Sequence, residues 1–123
     1  KQEGEGKGYI FQSTGKKYVV QQIMKYMEEN YREKISLEQI AANMYLSSFY
    51  IAKIFKSETG DTPINYLIRL RMEKAKEILE ISPEEPIKEV AAAVGYSDAY
   101  HFSKLFKKHY GISPLYYKKD SFS

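Results

Sequence analysis

The sequence predicts an all-α fold of about seven helices, in which two paired-helix units are joined by one longer helix. Three observations carry that prediction. Apolar residues recur every three or four positions from Lys17 to Tyr117, the period of a helix with one buried face. The second half of the chain restates the first: Lys53-Ile54-Phe55-Lys56 answers Lys104-Leu105-Phe106-Lys107, and Gly60-x-Thr62-Pro63-x-x-Tyr66 answers Gly111-x-Ser113-Pro114-x-x-Tyr117. Glycine and proline fall between the periodic stretches, where helices end and begin. Upstream, Leu37, Ile40, Ala41 and Met44 answer Ile87, Val90, Ala91 and Val94 at a separation of 50 residues, against 51 downstream, so the second copy holds one extra residue near Asp98. Two copies are too few for a solenoid.

Residues 1–16 are rich in glycine and charge and read as a linker or flexible tail, with Tyr9-Ile10-Phe11 able to dock on the domain that follows over 17–119. Lys17 to about Tyr31 forms an amphipathic helix with Val20, Ile23, Met24, Met27 and Tyr31 inward. A first two-helix unit spans about 36–59. Ser36 caps its first helix, with Gln39 completing a capping box, and Leu37, Ile40, Ala41 and Met44 are its buried positions. Tyr45-Leu46 makes the turn; Ser47 opens the second helix, whose stripe is Ile51, Ile54 and Phe55, and Gly60 closes it.

Pro63 suits the first turn of a linker helix over about 63–80, with Tyr66, Leu67, Leu70, Arg71, Ala75, Ile78 and Leu79 inward. Arg71 is expected to bury its stem and pair its head with an acidic group or a carbonyl. Ser82-Pro83-Glu84-Glu85-Pro86 breaks that helix. The second unit spans about 87–110: a short helix from Ile87 to Val94, the turn Gly95-Tyr96, then a helix capped by Ser97 or Asp98 with the stripe Phe102, Leu105 and Phe106. A last short helix starts near Pro114 and carries Tyr116 and Tyr117.

Composition excludes several classes of function. A chain of 123 residues is one domain plus a tail, and 43% hydrophobic with 28% charged residues fits a globular core rather than disorder. With no cysteine there is no disulfide, thiolate metal site or cysteine nucleophile, which suits a reducing cytoplasm. His101 and His109 lack the neighbours a metal site needs, Glu84-Glu85 sits in a turn, and no glycine-rich phosphate motif occurs. No catalytic residue, cofactor or metal is therefore predicted, and the segment does not read as an enzyme. It opens on Lys rather than Met and reads as a piece of a longer protein. The net charge of +3 is weak support for an anionic partner, so the placement of lysine matters more than its total.

That placement is informative. Tyr100, Ser103, Lys104 and Lys107 share one helix face at i, i+3, i+4 and i+7, and Phe49, Ala52, Lys53 and Lys56 share the matching face of the first unit. Both faces are basic and free of carboxylates. A short helix with a core stripe on one side and such a face on the other suits entry into a DNA major groove. Solvated surface lysine is the plainer reading, but recurrence at matched positions beside two core stripes weighs against it.

Four segments, Ser47–Gly60, Arg71–Leu79, Val90–Asp98 and Phe102–Tyr117, together resemble the DNA-binding domain of the AraC/XylS family of bacterial transcription regulators, over about Tyr18 to Lys118. The lead-in Tyr26–Ala41 is similar to YesN-like members attached to two-component receiver domains. The resemblance implies two homeodomain-like helix-turn-helix units whose recognition helices enter successive major grooves, about 34 Å apart, on one side of the duplex. It also implies base reading by Phe49, Ala52 and Lys53 in the first unit and by Ala99, Tyr100, Ser103 and Lys104 in the second. Ser48, Lys56 and Lys107 are expected to hold phosphates.

The family commonly has Arg where this chain has Lys53, Lys104 and Lys118. Lysine lacks the planar fork arginine offers to guanine, so more of the affinity should come from phosphates and from thymine methyls against Ala52, Ala99 and Phe49. The family often has an aromatic at His101 and a small polar residue at Tyr100, which alters the second half-site. The implied partners are a double-stranded DNA operator, RNA polymerase, and a missing N-terminal sensor, receiver or dimerisation domain, with the isolated segment a monomer in the cytoplasm. Two other readings share the pattern: a helical protein–protein module that has lost DNA binding, and the accessory domain of an enzyme such as a DNA-repair alkyl transferase.

Overall fold

The computed structural model describes residues 15–122, with side chains to Lys118. Residues 1–14 of the predicted tail, including Tyr9-Ile10-Phe11, lie outside the described residues. Among the described residues there are seven helices: α1 Lys16–Asn30, α2 Leu37–Asn43, α3 Ser48–Thr59, α4 Pro63–Ile81, α5 Ile87–Ala93, α6 Ala99–Tyr110 and α7 Pro114–Phe122. None is long and apolar enough to cross a membrane. The chain divides into two compact units. One holds α1, α2, α3 and the start of α4 to Tyr66; the other holds Tyr31–Lys34 and everything from Leu67 onward.

In the first unit α1 and α2 both pack on α3. Val20, Ile23 and Met27 of α1, Ile40 and Ala41 of α2, and Ile51, Ile54 and Phe55 of α3 are buried. Phe55 meets the edge of the Tyr66 ring at 5.6 Å between centroids. Fully burying a side chain of this kind contributes about 1.5–3 kcal/mol, which outweighs the propensity of such short helices. Leu37 and Met44, expected inside, are only half-buried. Leu37 opens this seven-residue helix and Met44 is its C-cap.

The second unit is built on Met72, Ala75 and Leu79 of α4, Val90, Ala91 and Val94 around α5, and Tyr96, Phe102 and Phe106. Leu105 is half-buried at its margin with Ala99, Tyr110 and Tyr117. Met72 is fully buried although it lies off the expected inner face of α4. The buried arc of α4 takes in Leu67, Leu70, Arg71, Met72, Ala75 and Leu79, wider than one apolar stripe.

The internal repeat is visible bond by bond. In the first turn Tyr45 and Leu46 donate to the carbonyls of Ala42 and Ala41; in the second, Gly95 and Tyr96 donate to those of Ala92 and Ala91. Gly60 and Gly111 close α3 and α6 in the left-handed conformation, each at φ 80°, and donate to Lys56 and Lys107. Thr62 and Ser113 cap the next helices by accepting from Asn65 and Tyr116. The caps of α3 and α6 are Ser47 and Asp98, so the extra residue of the second copy is Ser97.

Beside the extra Ser97, the turns differ in which residue stands at positive φ. Gly95 has φ 100°, whereas Tyr45 holds the matching place at φ 57° with its side chain 95% exposed. Gly95 is demanded by space as well, because a Cβ there would lie 2.8 Å from the Tyr31 carbonyl oxygen. That oxygen accepts from Arg71 Nε at 2.8 Å, and Arg71 Nη2 donates to the Glu33 carbonyl at 2.7 Å. The guanidinium also lies over the Tyr96 ring, 5.0 Å from its centroid. Arg71 thus finds carbonyl partners, one of the two kinds expected, and ties Tyr31–Lys34 into the second unit.

α7 is fastened by polar contacts. Tyr117 donates its hydroxyl to Glu80, and Lys118 Nζ donates to the Glu85 carbonyl at 2.6 Å. Desolvation, followed by the hydrogen bond to Glu80 and its charge, raises the Tyr117 pKa to about 12 from an ordinary value of 10.0. A folded pKa above the unfolded one adds stability that is whole below pH 10 and is lost as pH rises through about 12. The stability gap between wild type and Tyr117→Phe is therefore expected to be widest near neutral pH and to narrow between pH 10 and 12. Denaturant melts across that range measure it; a gap independent of pH would show that the hydroxyl proton is not held by Glu80.

Candidate nucleic-acid interface

The two helices with the lysine faces are built alike. α3 starts on Ser47, whose hydroxyl accepts from the Tyr50 N–H at 3.1 Å. α6 starts on Asp98, whose carboxylate accepts from the N–H groups of Tyr100 and His101 at 3.0 and 3.3 Å. Each helix runs twelve residues to its left-handed glycine. Behind them the anchors Ile51, Ile54 and Phe55, and Phe102 and Phe106, are 3% exposed or less. The rotation of each helix about its own axis is set by those anchors, which determines what the opposite face offers.

On α3 that face presents Phe49 at 77% exposed, with Lys53 and Lys56 also exposed and Ser48 and Ala52 half-buried. On α6 it presents Tyr100 at 72% exposed, with Lys104 and Lys107 exposed and Ser103 half-buried. Each unit thus brings its own expected residues onto one helix. Ala99 is half-buried and packs on the second core. Phe49 is not a packing residue. The Lys104 ammonium lies 5.2 Å from the centre of the Tyr100 ring.

The electrostatics of the two helix starts differ. Neither first turn holds an acidic residue, but the cap of α6 is a carboxylate and the cap of α3 a neutral hydroxyl. A carboxylate that already engages two N–H groups leaves the start of α6 less attractive to a phosphate than the start of α3. At its other end α6 ends in Lys107, Lys108 and His109, all exposed. Lys108 and His109 lie off the expected face; the run of three basic residues before Gly111 is the signal that marks them. They also complement the negative end of the helix dipole. Among the described residues no group of three or more His, Asp or Glu is placed to hold a metal ion.

A family model described as a helix-turn-helix domain matches residues 40–120. The chain is 40% identical over 112 residues to the uncharacterized HTH-type transcriptional regulator YdiP of Escherichia coli K12, covering 91% of this chain and 35% of that protein. It spans roughly a third of the length of the curated relatives it matches. Among solved structures, the C-terminal domain of AraT, a response regulator from Geobacillus stearothermophilus, superposes with a TM-score of 0.80 at 35% identity, over 83% of this chain and 84% of that one. The C-terminal domain of the two-component response regulator yesN from Fusobacterium nucleatum gives 0.76 at 35% identity, over 80% and 95%. The DNA-binding domain of AdpA, a global transcriptional factor solved with a target DNA, gives 0.77 at 28% identity, over 82% and 90%.

Proposed function

The chain belongs to the AraC-type helix-turn-helix family of transcription regulators, and from that premise we propose how its residues divide the work of binding DNA. Residues 17–119 bind a specific double-stranded operator, with α3 and α6 as recognition helices in successive major grooves. Phe49, Ala52 and Lys53, and Ala99, Tyr100, Ser103 and Lys104, contact base edges; Ser48, Lys56 and Lys107 contact phosphates. Of the base contacts Ala99 is the weakest, since it is half in the core. The observation that carries the reading is the duplicated, carboxylate-free, lysine-bearing face on two helices that are each capped and backed by core residues.

In the whole protein this domain is the output end. A sensor, receiver or dimerisation domain precedes it, RNA polymerase is a further partner, and the isolated domain is a monomer that acts in the cytoplasm without chemistry of its own. Its kinship with response-regulator C-terminal domains favours a receiver as the preceding domain.

The test is DNA selection by the domain followed by binding measurements at about 50 and 200 mM salt, over which a protein contacting several phosphates loses orders of magnitude in affinity. Binding that ignores salt and sequence would favour a protein–protein module instead. Lys56→Ala is expected to weaken all sequences alike and to reduce the slope of log K against log salt by about one unit. A sequence-dependent loss would place Lys56 on a base rather than a phosphate.

A further inference from the structure

We propose that Tyr100 and Lys104 act as one reading unit: the Tyr100 ring holds the Lys104 ammonium in position for a guanine, while its own outer surface meets the methyl group of a neighbouring thymine. This deepens the DNA-binding reading above and rests on it. The first observation is the contact itself, with the ammonium 5.2 Å from the ring centre on a helix face that is open to solvent. Side chains on a helix lean toward its N-terminus, so a long residue at i+4 lies back over residue i. Tyr100 and Lys104 have that order and spacing. The ring face carries negative potential and attracts the cation, and it restricts a side chain that otherwise samples many rotamers.

The second observation is that an aromatic residue and a lysine recur at the same spacing in the first unit. Phe49 and Lys53 stand at the same spacing on α3, in the places matched to Tyr100 and Lys104. Both aromatics are more than two-thirds exposed although neither is needed by a core. The chemistry points to the bases. An ammonium has donors only, and guanine is the base with two major-groove acceptors, N7 and O6. An apolar ring surface beside it suits the thymine methyl. A lysine steadied on an aromatic regains part of the directionality it lacks beside arginine.

Two measurements on the isolated domain test this. Without DNA, the Lys104 ε-methylene protons should be shifted upfield by the ring current in wild type and in Tyr100→Phe, and not in Tyr100→Leu. An unshifted methylene in the wild type overturns the pairing whatever the domain binds. With DNA selected by the wild type, Tyr100→Leu, Lys104→Ala and the double variant form a cycle. The double variant should bind about two- to fivefold more tightly than the product of the single losses predicts. Tyr100→Leu should relax the same guanine that Lys104→Ala relaxes, and Tyr100→Phe should restore it. Losses that multiply, or a Tyr100→Phe as impaired as Tyr100→Leu, overturn the composite unit. A wild type that selects no sequence overturns the DNA-binding reading instead, while the proton shifts still decide whether the pair exists.

Discussion

Gly95→Ala is expected to destabilise the second unit by about 3 kcal/mol or more, the combined effect of a positive-φ position and a backbone clash. At φ 100° any Cβ is strained, and here it would sit 2.8 Å from the Tyr31 oxygen and 3.0 Å from Arg71 Cζ. Relief cannot come from one flexible side chain, because the nearest atom is backbone. Moving Tyr31 aside disturbs the carbonyl that receives Arg71 Nε, and Arg71 is only 8% exposed. The substitution therefore loosens the bonds to Tyr31 and Glu33 along with the turn. Gly60→Ala and Gly111→Ala are the controls: both glycines have φ 80°, and an added Cβ meets nothing within 4 Å. Those two should lose only the backbone component, about 1–2 kcal/mol. Urea denaturation of the three variants ranks them, and hydrogen exchange shows whether the Gly95→Ala loss is confined to the second unit, Tyr31–Lys34 and the residues from Leu67 onward. Equal losses at all three glycines would mean that Tyr31 yields without cost.

Lys53→Ala combined with Lys104→Ala is expected to remove about 2–6 kcal/mol of specific binding, if each lysine reads a base at 1–3 kcal/mol. That is about one and a half to four and a half orders of magnitude in affinity. Both side chains are exposed and stand on separate units, so folding should be unaffected and the two effects should add. Titration of a selected operator and of unrelated DNA separates the contributions. The operator should lose far more than the unrelated duplex, which keeps Lys56 and Lys107 for its phosphates. If both duplexes weaken equally, the lysines touch backbone and the bases are read by Phe49, Ala52, Tyr100 and Ser103. If Lys104→Ala alone leaves the operator unchanged, α6 does not enter the groove by this face.

Most of the fold was legible without coordinates, for a reason visible in individual residues. Ser36 with Gln39, Pro63, Gly60 and Gly111 act within one helical turn of themselves, so their meaning survives in the local order of residues. The reciprocal bonds between Ser36 and Gln39 are there, and α2 starts where they place it. The anchors Ile51, Ile54, Phe55, Phe102 and Phe106 follow from periodicity alone. The misses concern degree of burial. Leu37 and Met44 have the right face but stand at helix ends, and Met72 is covered because α4 buries more than one stripe.

What the order of residues determined by itself was the number of helices, their caps, the duplication and the two basic faces, because each depends on hydrogen bonds and side-chain spacings that close within a few residues. Tertiary packing alone decided the rest. It chose Asp98 over Ser97 as the cap of α6 and buried Met72 in the core of the second unit. It also joined Arg71 and Gly95 to the Tyr31 carbonyl, from 40 positions away in the case of Arg71. Contacts of that kind depend on where whole helices come to rest, and no local pattern encodes the resting place of a distant neighbour.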